Sequence, residues 1–182
     1  MIVVDNFLDN PVRVRKLALK SDYIDWKGFD GEVYKRISLT DVPGLQEGLQ
    51  KAVGRIEMLG MGYRLNYGGE LPNASIHADT GWGTHAAVLY LCSGKGGTAF
   101  WKHKATQAES IVAGQHDLFD AVKDEWNDES KWEMTGLAEH KFNRCAIYDS
   151  SLFHSRYPFA AFGDSPETGR LIAVAFFNKV TE

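Results

Sequence analysis

His77 and Asp79 stand two positions apart in "SIHADTGWG". If the backbone there is extended, both side chains leave the same side of the chain and can share one ion. A third ligand is available in "YDSSLFHSRYP", where His154 directly follows a strongly apolar strand. Two histidines and one carboxylate form the facial set that holds non-haem Fe(II) with coordination positions left open. Zinc accepts the same donors, so ligand types alone leave the metal undecided. The other four histidines, His85, His103, His116 and His140, fall in strand, turn or charged-helix contexts and read as surface or hydrogen-bonding residues. A metal that chelates a 2-oxo acid also needs a fixed cation for the distal carboxylate, ideally a bidentate guanidinium. Arg170 supplies one: it opens "GRLIAVAFFN", an otherwise apolar strand in which Ile172, Val174 and Phe176 would share its face. Arg156 ranks second, because "SRYP" reads as exposed loop.

The elements that must position these residues change character near residue 56. Before it, "DNPVRVRKLALKS" offers Asn10 as N-cap and Pro11 as first helical residue, with Val12, Leu17 and Leu19 on an apolar side. "DVPGLQEGLQKAV" repeats that logic with Leu45, Leu49 and Val53, so helices are expected to dominate residues 1–55. After it, "IEMLGMGYRLNYGG", "HAAVLYLCS", "GTAFWKHK", "SKWEMTGL", "NRCAIYDS" and "GRLIAVAFFNKV" carry strand patterns. Between them, "DLFDAVKDEWNDES" spaces Leu118, Phe119, Val122 and Trp126 as a short amphipathic helix with an acidic outer face. The expected fold is mainly β with flanking helices: one domain over 1–182, a double-stranded β-helix (jelly-roll) core at 56–180 with an insertion at about 104–130, and N-terminal helical support.

Bulk composition bounds the partners. A net charge of −4 gives no electrostatic footprint for nucleic acid and favours a small-molecule or peptidyl substrate. No stretch approaches the ~20 apolar residues that span a bilayer. Cys92 and Cys145 match neither a disulfide framework nor a zinc pattern, which suits a reducing, cytoplasmic setting.

Taken in order, "NYGGELPNASIHAD", "VLYL", "GGTAFW", "NRCAIYDSSLFHS" and "GRLIAVAFF" resemble the Fe(II)- and 2-oxoglutarate-dependent dioxygenases, most closely the prolyl-hydroxylase-like branch. The N-terminal "VVDNFLDNPVRVRKLAL" looks closer still to a small, poorly characterised subgroup. The resemblance implies His77, Asp79 and His154 as iron ligands and Arg170 as the clamp on the 5-carboxylate of 2-oxoglutarate. It also matches Tyr67 and Tyr90 to tyrosines that line the cosubstrate, although aromatic core packing accounts equally for either. Fe(II), 2-oxoglutarate and O2 would then hydroxylate a C–H bond, releasing succinate and CO2. Two departures stand out: sixteen positions separate His154 from Arg170, longer than the family's usual interval, and Ile172 replaces the hydroxyl residue often found two after the arginine. The competing readings are a non-oxidative, cupin-like isomerase or binding module, which needs no buried cation for a dicarboxylate, and a nucleic-acid demethylase, which the acidic balance disfavours. Trp82, Phe100, Trp101, Phe159 and Phe162 are candidates for a substrate wall or for core, and the acidic insertion for a lid or a solvated face.

Overall fold

A computed structural model describes residues 1–27, 33–72 and 75–180. The larger of two sheets is built around β4 (Ile56–Asn66) and β10 (Arg170–Lys179), which pair antiparallel along nearly their whole length. On one side of β10 lie β5 (His85–Tyr90), β8 (Cys145–Asp149) and β1 (Ile2–Val4); beyond β4 lie β3 (Val33–Leu39) and β2 (Ile24–Lys27). The smaller sheet has β6 (Gly97–His103) between β7 (Trp132–Glu139) and β9 (His154–Tyr157). Two antiparallel sheets face each other, as a double-stranded β-helix requires.

Alternation along each strand divides the interior into layers. Tyr63, Leu65, Ala87, Leu89, Leu171, Ala173, Ala175 and Phe177 leave the outer face of the larger sheet and pack with α1 (Pro11–Leu19) and α2 (Leu45–Val53). The opposite face sends Ala86, Val88, Tyr90, Tyr148 and Ile172 towards Phe100 of the smaller sheet, and this is the layer in which the site sits. Behind the smaller sheet, Ala99, Trp101, Trp132 and Phe153 bury Val122 of α3 (His116–Val122), which lies in the long β6–β7 connection. That connection runs through the stretch where an insertion was expected. It is tied down by His103, whose ring nitrogen lies 2.6 Å from a Glu125 carboxylate oxygen.

The helix signals behave as their chemistry dictates. The Asn10 side chain accepts the Arg13 N–H at 3.1 Å with Pro11 in the first turn. Gly48 inside α2 makes room for Phe7, whose ring would meet a Cβ at 2.5 Å. The apolar side of α1 differs from expectation: Val14 and Ala18 are buried, whereas Val12 and Leu17 are exposed. The first 55 residues also contain three strands that a helical reading does not anticipate, and all three extend the larger sheet. Their residues are largely exposed, so no strong apolar alternation announces them.

Candidate metal centre

His77 lies between β4 and β5, outside any long strand, and is held by an isolated antiparallel bridge to His154, the first residue of β9. The His77 N–H donates to the His154 carbonyl at 2.9 Å and the reciprocal bond is 2.8 Å. Directly opposed residues in such a pair project to one side, so the bridge brings together two rings far apart in sequence. Their centroids are 4.5 Å apart. Asp79 is placed by its own N–H, which donates to the Ser150 carbonyl at 2.8 Å. Its carboxylate oxygens lie 3.7 Å from His77 Nε2 and 3.2 Å from His154 Nε2. One donor atom from each of the three residues falls within 4.8 Å of the others.

Both imidazoles have the arrangement expected of metal ligands. His77 Nδ1 donates to the Ser75 carbonyl at 3.1 Å, and His154 Nδ1 to the Leu152 carbonyl at 2.9 Å. Fixing the proton on Nδ1 leaves the Nε2 lone pair directed at the shared space. Burial, reinforced by the neighbouring His154, lowers the His77 pKa to about 4, so this ring is neutral at physiological pH. Burial pushes Asp79 and His154 towards neutrality, but each outweighs that for the other: Asp79 stays below the usual carboxylate range and His154 is raised. A metal ion in this space would take over from the His154 proton the work of neutralising Asp79.

The segment after Asp79 turns sharply back into β5. Gly83, at φ +104°, is required there because a Cβ would also meet the Phe177 carbonyl at 2.9 Å. Trp82 stands on this turn with its N–H on the Asp79 carbonyl at 3.3 Å.

Arg170 opens β10 on the inner face and is buried. Its Nε is enclosed with no hydrogen-bond partner, and among the described residues no carboxylate forms an ion pair with it. Burial lowers its pKa, opposed in part by the nearby Tyr90, Cys92 and Tyr148. Tyr90 faces the same layer, but its hydroxyl is already engaged, donating to the Ala138 carbonyl at 3.0 Å and lying 2.7 Å from Thr98 Oγ1. Tyr67 is placed elsewhere. It packs against the helix-side core beneath Arg36, whose Cζ lies 4.2 Å from the ring centroid, so it does not join the cluster around the three ligands.

Arg156 corrects the reading of "SRYP" as exposed loop. It lies on β9, opposite Thr98, half-buried, with Nε donating to the Phe159 carbonyl at 2.8 Å and Nη2 to the Glu70 carbonyl at 2.7 Å. Burial and the neighbouring Arg170 and Arg64 bring its pKa down to about 9. Among the aromatic candidates, Trp101 is buried behind the smaller sheet, where its Nε1 donates to Ser155 Oγ at 2.9 Å. Phe159 packs against Trp101, and Phe162 packs on the helix-side core. Phe100 does reach the inner layer, 5.1 Å from Tyr148 and 6.4 Å from His154 between ring centroids. The sequence reading missed Arg64 and Asn66, which share the inner face of β4, opposite Ile172 and Arg170 respectively. The alternation in "GYRLNY" was the available signal, since it sets both apart from Tyr63 and Leu65.

Residues 74–177 match the model of a family of unknown function, DUF6445, over more than half of the chain. The chain belongs to that family. No curated protein matches this DUF6445 member in sequence. Several solved structures share its fold. The carbocyclase SnoK of nogalamycin biosynthesis, described as non-heme and alpha-ketoglutarate dependent, aligns with TM-score 0.58 and 14% identity over 97% of this chain and 79% of that one. The epimerase SnoN, crystallised with Fe3+, alpha-ketoglutarate and nogalamycin RO, gives 0.54 and 13% over 97% and 77%. AviO1 from Streptomyces viridochromogenes Tue57 gives 0.54 and 10% over 93% and 85%. At these identities the likeness is one of fold, and it fixes the DUF6445 chain as a double-stranded β-helix protein.

Proposed function

We propose that this protein is an Fe(II)- and 2-oxoglutarate-dependent oxygenase that hydroxylates a C–H bond of a small molecule. The observation that carries the reading is a pair of complementary needs between the two sheets: three converging metal donors, and a buried Arg170 on the inner face for which no counter-charge is found among the described residues. Leaving a guanidinium dry and unpaired is costly unless a ligand completes it. A 2-oxo dicarboxylate meets both needs, one end at the metal and the other at the arginine. SnoK and SnoN, whose fold the chain shares, are described with alpha-ketoglutarate, which supports the same assignment here. The finer resemblance to the prolyl-hydroxylase-like branch belongs to this proposal and rests on the order of the sequence motifs.

His77, Asp79 and His154 would hold the iron, and Arg170 would hold the 5-carboxylate of 2-oxoglutarate. Bound there, iron with 2-oxoglutarate and O2 supplies the oxidising power to break an unactivated C–H bond, with succinate and CO2 released. The protein's task is orientation and dryness. Val88, Tyr148, Ile172 and Phe100 line the layer behind the ligands and keep water from the reacting centre. The Nδ1 bonds to Ser75 and Leu152 fix the two rings, so the ligands need little rearrangement on binding. Tyr90, held by Thr98 and Ala138, presents a rigid wall next to Arg170. No side chain is required as a general base. A cupin-like binding role without 2-oxoglutarate would leave the Arg170 charge uncompensated.

No helix among the described residues is long and apolar enough to cross a membrane, and Cys92 and Cys145 are buried free thiols. The buried free thiols suit the reducing, cytoplasmic compartment proposed here.

The test is anaerobic addition of Fe(II) and 2-oxoglutarate to the purified protein. A visible metal-to-ligand charge-transfer band is expected, lost in His77→Ala and weakened in Arg170→Ala, with succinate formed once O2 is admitted. A fully metallated protein that develops no band refutes the reading.

A further inference from the structure

Both histidines of the metal centre lean on a backbone carbonyl, and the β6–β7 connection, residues 104–131, engages each of those peptide groups from behind. The His77 Nδ1–H donates to the Ser75 carbonyl at 3.1 Å. That carbonyl belongs to the peptide group joining Ser75 to Ile76, and the N–H of the same group donates to the Trp126 carbonyl at 3.0 Å. His154 repeats the arrangement. Its Nδ1–H donates to the Leu152 carbonyl at 2.9 Å, and the N–H of that peptide group, on Phe153, donates to the Glu109 carbonyl at 2.9 Å. Glu109 and Trp126 both lie in the one connection.

A trans peptide group is planar, with its N–H and C=O pointing in opposite directions, so fixing one end fixes the other. Hydrogen bonds arranged in series also polarise one another, by roughly 10–30% per bond. A carbonyl whose own N–H is engaged accepts more strongly. It keeps the imidazole proton on Nδ1 and makes Nε2 the better donor to a metal. The side chains beside these peptide groups are held with the connection too: Ile76, 0% exposed, and Phe153, 2% exposed, belong to the cluster that buries Val122 of α3. Two more bonds fasten the same segments. Asn127 Oδ1 accepts the Ser75 N–H at 2.9 Å, and the Ile111 N–H donates to the Ser151 carbonyl at 2.9 Å. Buried backbone groups find partners in any fold. What is particular here is that both peptide groups carrying an Nδ1 contact are completed by a single excursion of the chain, which therefore senses the two rings together.

We propose that the β6–β7 connection is an orienting frame for the metal centre, in which the Trp126 carbonyl aims His77 and the Glu109 carbonyl aims His154, each through one peptide group. The inference rests on the reading of His77, Asp79 and His154 as metal ligands. Asn127 is then a positioning residue, acting on His77 through Ser75, and the Ile111 bond does the same for the His154 side.

The test loads the full chain with Co(II), which gives the Nδ1–H proton of each bound imidazole a paramagnetically shifted NMR signal that exchanges with water. Two such signals are expected in the parent protein, both slow enough in exchange to be seen. Asn127→Leu should weaken Co(II) binding by about tenfold in a competition titration, the low end for loss of an outer-shell partner, and should shift or broaden one signal only. Ile111→Pro, which deletes the bond to Ser151 beside Glu109, should disturb the other. Asn127→Asp still offers an oxygen to the Ser75 N–H and should stay within about threefold of the parent. A parent protein that binds Co(II) at these ligands but loses either Nδ1–H signal to exchange overturns the proposal without any variant. So do variants that unfold more easily yet keep parental Co(II) affinity and both signals, since the connection would then only stabilise the fold. Equal disturbance of both signals by either variant, a general loosening, overturns it as well. Failure of the parent to bind Co(II), or binding that survives His77→Ala, removes the metal centre and the frame together. A missing charge-transfer band with iron and 2-oxoglutarate, with the Co(II) results as expected, sinks the oxygenase reading and leaves the frame standing.

Discussion

Replacing Arg170 by methionine should move stability and binding in opposite directions. In the ligand-free protein the guanidinium is buried at 6% exposure, its Nε has no partner, and Arg64 repels it. An unsatisfied buried polar group costs about 1–3 kcal/mol, and methionine fills the space of the aliphatic stem without carrying that cost. Unfolding of ligand-free Arg170→Met should therefore require about 1–3 kcal/mol more than the parent protein, raising Tm by roughly 2–4 °C per kcal/mol for a chain of this size. Binding should suffer. Removing one partner of a buried charge pair costs about 3–5 kcal/mol, a loss of at least about a hundredfold in 2-oxoglutarate affinity. Urea titration of metal-free protein gives the first number, and calorimetry of 2-oxoglutarate against the Mn(II)-loaded protein gives the second. The reasoning fails if the variant is less stable than its parent while 2-oxoglutarate affinity is unchanged. That pattern would mean Arg170 is a structural residue whose partners are inside the protein.

Loss of a direct metal ligand should exceed the roughly 10–100-fold typical of outer-shell partners, so His154→Ala is expected to weaken Zn(II) binding by more than about 100-fold, whereas His85→Ala, stacked on Phe177 at 5.5 Å, should leave it unchanged in a competition titration. His140 is buried against Tyr90 and near Arg170, which brings its pKa from 6.5 to about 4. The unfolded chain takes up that proton as pH falls through 6.5 and the folded chain does not, so folded stability drops between pH 6.5 and 4, by about 3 kcal/mol at most from this residue. The slope of denaturant-derived stability against pH should flatten over that window in His140→Gln; an unchanged slope contradicts the assignment. Phe153→Ala empties the contact with Trp132, 5.0 Å between ring centroids, immediately before His154. It should cost about 3–5 kcal/mol by thermal or chemical unfolding and weaken metal binding at the same time.

The convergence of the three candidate metal ligands was legible because their chemistry is carried by residue type and local spacing. An HxD pair in extended backbone, a histidine after an apolar strand and an arginine at the mouth of another each announce themselves, and the antiparallel bridge between His77 and His154 supplies the closure that no spacing encodes. Tyr67 shows where such reading stops. Alternation in "GYRLNY" separates Tyr63, Leu65 and Tyr67 from Arg64 and Asn66, but it does not say which set faces the helices. Leu65 and Tyr63 go to the helix-side core and Tyr67 follows them, so the residues left on the inner face of β4 are the two that looked merely polar. Arg156 was hidden for a related reason. β9 is four residues long and is held by pairing with β6 and by the bridge to His77, long-range contacts that four residues ending at a Tyr-Pro bond do not advertise.

Charge was the most misleading of the bulk numbers. A chain of net charge −4 gives no reason to expect an anion site, yet Arg64, Arg156 and Arg170 lie near one another, with Asp79 engaged by His154 and Glu70 by Arg36. Net charge averages over a surface, whereas affinity depends on the groups removed from water, where Coulomb interactions are strongest and salt screens least. The acidic residues that dominate the average lie largely on exposed faces such as α3 and the turn after it. Their field discourages indiscriminate binding of polyanions at the surface, while the recessed guanidiniums reward a small anion that can leave solvent and enter. Under the proposed function, separating the two signs in this way favours compact carboxylates over nucleic acid, and it is this separation, rather than the count of charges, that the double-sheet architecture provides.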